Sequence, residues 1–108
     1  MAKLEKVLDG DFDQLLNKIV DGMQVGAMSA TLEDFNDVCT SDVRCSVRVF
    51  ERYSYAGGNR VSMNVTLFQE GDGPIYLTAI AFSLDEGAVL KFNTSGEDGF
   101  IEKLKKLL

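Results

Sequence analysis

Arg44, Arg48, Arg52 and Arg60 are all the arginines of a 108-residue chain, and every one carries an even number. On a strand, where side chains alternate between faces, one parity means one face. At about 3.3 Å per residue, Arg44, Arg48 and Arg52 would stand roughly 13 Å apart. Such a row suits an anionic ligand or the carboxylates of a protein partner. The guanidinium fork bonds carboxylate and phosphate bidentately and stacks on aromatic rings. The same row also suits a solvated sheet face, because long side chains shield the strands beneath them.

Other chemistry is sparse. The chain has no histidine, which excludes Ser-His-Asp and Cys-His arrangements. No P-loop, G-x-G-x-x-G or H-E-x-x-H motif is present. Cys39 and Cys45 are the only cysteines, and their spacing is not C-x-x-C. Two reduced thiols are the expectation for a cytosolic chain. A structural zinc site takes four ligands, so no metal and no cofactor are expected. Glycines in "AGGN" and "GDGP" suit turns between strands, since phosphate cradling needs a following helix. No catalytic residue stands out, and the chain reads as a non-enzyme.

Charge is unevenly placed along the chain. Residues 1–43 hold nine acids and three lysines, net −6; residues 44–69 hold four arginines and Glu51, net +3; residues 70–108 hold seven acids and four lysines, net −3. These sum to the overall −6. An acidic chain is a poor nucleic-acid binder, because phosphate neutralisation dominates that affinity. The start, "MAKLEKVLDGDFDQ", lacks the apolar run of a secretory signal. No stretch approaches the roughly 18 apolar residues of a spanning helix. The expectation is a soluble cytoplasmic domain over residues 1–108 that binds neither membrane nor nucleic acid.

The elements that must position these residues follow from periodicity. In residues 11–25, Phe12, Leu15, Leu16, Ile19, Val20 and Met23 make one helical stripe. "KLEKVL" before it fits either a short strand or an extra helical turn. Residues 27–34 suit an edge strand, and 35–42, "FNDVCTSD", read as a loop rich in turn formers. Residues 43–55 alternate: Val43, Cys45, Val47, Val49, Glu51, Tyr53 and Tyr55 against Arg44, Ser46, Arg48, Phe50, Arg52 and Ser54. Residues 60–68 place Val61, Met63, Val65 and Leu67 opposite Arg60, Asn64 and Phe68, and "AGGN" signals the hairpin between them. Residues 75–84 are apolar on both faces, and "AVLKFN" (88–93) suits a shorter strand. Residues 97–108 close with a helical stripe of Phe100, Ile101, Leu104, Leu107 and Leu108. The class is α+β: a two-layer sandwich in which an antiparallel sheet of four to five strands, joined as a meander without a crossover, carries an N-terminal and a C-terminal helix on one face.

"VRVFERYSYAGGNRVSMNVTL", with "GDFDQLLNKI" before it and "GEDGFIEKLKKL" after, resembles a family of small uncharacterised bacterial proteins with a domain of unknown function. The likeness runs nearly the whole chain. It implies a compact bacterial domain with no established activity, so it assigns no functional residue.

With the valines of residues 43–55 set towards the helices, the arginines fall on the outer face beside Phe50 and Phe68. If Ala79 and Ala81 lie under a helix, Tyr76, Ile80 and Phe82 join them. Arginine mixed with aromatics marks protein interfaces. Arg44, Arg48, Phe50, Arg52, Arg60, Phe68 and Phe82 are thus the candidates for contact with a protein partner, most simply a homodimer, or with a small anion. The alternative is a small-ligand carrier like a reduced helix-grip fold, with Glu51, Tyr53 and Tyr55 lining a pocket between sheet and helices. Inward odd residues on both hairpin arms also require paired residues to sum to an even number, hence an odd loop or a bulge.

Overall fold

Helix α1 (Phe12–Met23) forms where the apolar periodicity places it, and Phe12, Leu16, Ile19 and Met23 are its buried stripe. Its N-terminus is capped by Asp11, whose carboxylate accepts from the Gln14 N–H at 2.8 Å. That bond satisfies one of the first-turn donors left free by helix geometry. The structure is a computed structural model that describes residues 1–54, 59–84 and 95–108.

Five strands follow the chain as β1 (Ala2–Leu8), β2 (Thr31–Cys39), β3 (Val43–Ser54), β4 (Asn59–Glu70) and β5 (Ile75–Leu84). Helix α2 (Ser95–Lys105) closes the described elements. The sheet order is β1-β5-β4-β3-β2, with every neighbouring pair antiparallel. The α+β class and the antiparallel sheet with both helices on one face therefore stand. "KLEKVL" belongs to β1. The segment read as a loop at 35–42 is instead largely strand, because β2 runs to Cys39. Its Asn and Asp residues are tolerated on an exposed edge, where charge also blocks pairing with other chains. The meander holds only for β2 to β5. The outer strands β1 and β2 lie at opposite edges, so α1 carries the chain across the sheet. The expected strand at 88–93 lies outside the described residues.

The core lies between the helices and one sheet face. Leu4, Val61, Met63, Val65, Leu67, Ile75, Leu77, Ala79 and Ala81 meet Phe100, Ile101 and Leu104 of α2. Small Ala79 and Ala81, both fully buried, let α2 approach β5 closely. Gly22 does the same between helices, since a Cβ there would strike the Leu107 side chain. Lys103 ties the α1–β2 connection to α2 by donating to the carbonyls of Val25 (2.6 Å) and Ala27 (2.8 Å). The buried Glu97 carboxylate accepts from the Ser83 N–H at 2.7 Å, joining α2 to β5.

Directly opposed residues of an antiparallel pair share a face. Ser46 opposes Leu67, Arg48 opposes Val65, Phe50 opposes Met63 and Arg52 opposes Val61. The even positions of β3 thus face the helices, the reverse of the sequence expectation. Phe50 is fully buried, and Arg44, Arg48 and Arg52 lie on its side of the sheet. Val43, Cys45, Val47, Val49, Glu51 and Tyr53 face outward. The expected faces of β4 and β5 hold.

The reason for the inversion is the width of the helical layer. Helix α2 packs over β5, β1 and β4, leaving β3 at its margin. One large ring, Phe50, reaches under the layer, while the arginines bury their stems and carry charged heads to the rim. The hairpin register follows from the same inversion. Val49 pairs with Asn64 and Ser54 with Asn59, both sums being 113, so the expected even-sum register does not form. The turn itself, 55–58, lies outside the described residues.

Candidate functional site

The outer sheet face carries no helix among the described residues. Pairing places Val7 opposite Tyr76, Tyr76 opposite Phe68, Phe68 opposite Cys45, and Cys45 opposite Val38. This is one apolar row across all five strands, about 19 Å wide at about 4.8 Å per strand. Val7 is 62% exposed, Val38 53%, Tyr76 50% and Phe68 39%. The Phe68 and Tyr76 rings sit 6.4 Å apart at 55°, a tilted aromatic pair. Ile80, Phe82, Val47 and Val49 extend the apolar area along the strands.

Charge on this face is mostly cancelled within it. Lys3 pairs with Glu5 at 3.0 Å, and Arg60 Nε with Glu51 at 2.8 Å. Asp34 and Glu70 stand at the margins. Of the interface candidates named from sequence, Phe68, Phe82 and Arg60 are here, and Arg44, Arg48, Phe50 and Arg52 are not. Glu51 and Tyr53 are also here, so they line no pocket between sheet and helices; Tyr55 lies outside the described residues. Periodicity does not single out Val7 or Val38, because "KLEKVL" fits strand or helix and Val38 lies among the turn formers of "FNDVCTSD".

A second feature occupies the helix-side face at the β2 edge. A β-bulge between Leu32 and Asp34 shifts the register, so that Leu32 opposes Phe50 while Phe35, Asp37 and Cys39 oppose Arg48, Ser46 and Arg44. Asp37, Cys39, Arg44, Ser46 and Arg48, with Asp13 and Leu16 of α1, border an open cleft of about 490 Å³ that Val38 also edges. Arg48 is nearly buried. It donates to both oxygens of Asp37, at 2.8 and 3.3 Å, and to the Val47 carbonyl at 3.0 Å. Its guanidinium lies 5.1 Å from the Phe35 ring centre. Arg44 lies 4.2 Å over the Phe12 ring and donates to Asp13 at 2.5 Å. Arg52 points the same way but stands near Lys103, whose pKa falls through burial and through that neighbouring charge.

The hydrogen bond from Arg44 holds the Asp13 carboxyl below the usual carboxylate range. Arg48, then Ser46, do the same for Asp37. A carboxyl depressed in the fold contributes stability above its ordinary pKa, and that contribution is lost as pH falls through the lower folded value. Both ion pairs should therefore stay intact from neutral pH down to the ordinary aspartate value of 3.8 and break only below it. Titration of the side-chain carboxyl signals by NMR checks this: Arg44→Gln should return Asp13 towards 3.8 while Asp37 stays low. Midpoints at or above that value in the wild type would contradict the pairing.

Among the described residues, no group of three or more His, Cys, Asp and Glu side chains could hold a metal ion. No described helix is long and apolar enough to cross a membrane. The comparison with curated proteins and with solved structures finds no match. The model of a family of unknown function, DUF6054, matches residues 1–108, and the chain belongs to that family.

Proposed function

We propose that the protein is a non-catalytic domain that pairs with a second copy of itself through the outer sheet face. The observation that carries this reading is the apolar row Val7–Tyr76–Phe68–Cys45–Val38 spanning the sheet without interruption. A soluble chain seldom leaves so continuous an apolar surface uncovered. With four two-residue steps along the strands, the face measures about 19 by 27 Å between its outer Cα positions, roughly 500 Å² before side chains widen it, against the 800 Å² per partner of a standard interface.

A second copy is the occupant that the charges favour. A net charge of −6 opposes self-association at most surfaces. On this face the two internal ion pairs cancel, so two copies meet with little like-charge repulsion. Stacking two sheets face to face also gives the ordinary packing of a β-sandwich core. Cys39 and Cys45 lie on opposite sheet faces, which supports two free thiols and a reducing cytoplasm. The family resemblance adds a bacterial setting to this reading.

Light scattering across a salt series tests the nature of the contact. An apolar interface with its charges already paired should hold its dimer mass from about 50 to about 500 mM salt, although the Debye length shrinks about threefold. Dissociation over that range would point to an ionic contact and contradict the proposal.

A further inference from the structure

We infer that the cleft between α1 and the β2–β3 edge is a binding site for a small organic carboxylate, with Arg44 as the cation that receives it. The cleft volume of about 490 Å³ falls in the range of small-molecule sites. Its two arginines are not equivalent. Arg48 is committed: both Asp37 oxygens and the Val47 carbonyl hold it in a nearly buried position. Among the described residues, Arg44 makes one hydrogen bond, to an Asp13 side chain that is 67% exposed. Guanidinium carries five donors in a fixed fork, so most of those on Arg44 remain for a ligand. The Phe12 ring beneath it fixes the plane in which they are offered.

The ligand class follows from what the cleft already holds and from its walls. Asp13 is an intramolecular carboxylate resting on the receiving arginine, and it marks where a ligand carboxylate would sit after exchange. Leu16 lines the same space and suits a short hydrocarbon body. A chain of net charge −6 repels a dianion more than a monoanion, which favours carboxylate over phosphate. Asp13 then acts as a weak internal competitor, because exposed ion pairs contribute little and exchange readily.

Cys39 supplies the readout. It is exposed and lines the cleft, whereas Cys45 lies on the opposite sheet face and serves as an internal control. Hexanoate is the probe, iodoacetamide the uncharged alkylating reagent, and peptide mass spectrometry separates the two cysteines. At ten times its half-protecting concentration, hexanoate should slow Cys39 alkylation about tenfold by mass action and leave Cys45 unchanged. Arg44→Gln should abolish the protection. Asp13→Asn, a change at an exposed position, should lower the half-protecting concentration about threefold by removing the competitor. A purely structural ion pair would not give that gain. The site is overturned if hexanoate does not protect Cys39, if protection survives Arg44→Gln, or if Cys45 is slowed equally. It is overturned as a carboxylate site with an apolar wall if inorganic phosphate protects as well as hexanoate. These outcomes do not depend on dimerisation, because, of the outer-face row, only Val38, whose side chain points away from the cleft, borders it.

Discussion

Phe50→Ala should lower stability by about 3–5 kcal/mol, the usual cost of emptying a fully buried aromatic site. Phe50 has no exposed surface and opposes Met63, itself fully buried beneath the helices. The loss combines transfer of a large ring out of the core with the cavity left between sheet and helices. Thermal unfolding should move down by more than about 10 °C for a domain of this size. This variant also tests the face assignment in β3. If Phe50 instead faced outward beside Phe68, the same change would alter association and shift the melting temperature little, since exposed substitutions move stability by roughly half a kcal/mol. Val47→Ala, on the outer face of the same strand, is the matched control and should leave the isolated fold nearly as stable.

Replacing Phe68 and Tyr76 together by serine should dissociate the dimer while the chain stays folded. The two rings form the middle of the apolar row and contact each other directly. Loss of one central aromatic anchor typically weakens an interface by about 2 kcal/mol or more, about thirtyfold in affinity, and here two are lost. Neither ring belongs to the core, so the circular dichroism spectrum should be unchanged. The melting temperature of the wild type should rise with protein concentration and that of the variant should not, because association stabilises only the folded state. An unaltered mass in the double variant would place the contact elsewhere on the molecule. A variant that unfolds would show instead that these side chains support their own chain.

The sequence reports alternation well and its sense poorly. Helix α1 is legible because six apolar residues repeat at helical spacing, and β4 is legible because four apolar residues alternate with polar ones. In β3 alternation shows which residues share a face, but the choice of face turns on one ring. Four small or β-branched side chains, Val43, Cys45, Val47 and Val49, suggest the core by number, yet Phe50 fills it. Nothing local signals that α2 packs over β5, β1 and β4 and stops short of β3. The edge strand β2 hides for a related reason. Exposed on its free side, it is built from Asp, Asn and Glu, which also populate loops. The arginine parity is real, and all three β3 arginines do share a face. Their partners are unreadable at the level of sequence spacing, because Asp13 lies 31 residues from Arg44 and meets it only after α1 crosses the sheet. Likewise, the row from Val7 to Val38 exists only once five strands are ordered.

Sedimentation equilibrium of the wild-type chain beside the Phe68→Ser, Tyr76→Ser variant, from about 1 to about 100 µM, spans the affinities expected of a functional dimer of this size. The wild type should converge on twice the chain mass of 11.9 kDa, and the variant should remain at that single-chain mass throughout. A wild type that stays at 11.9 kDa at the highest concentration would contradict self-association through the outer face.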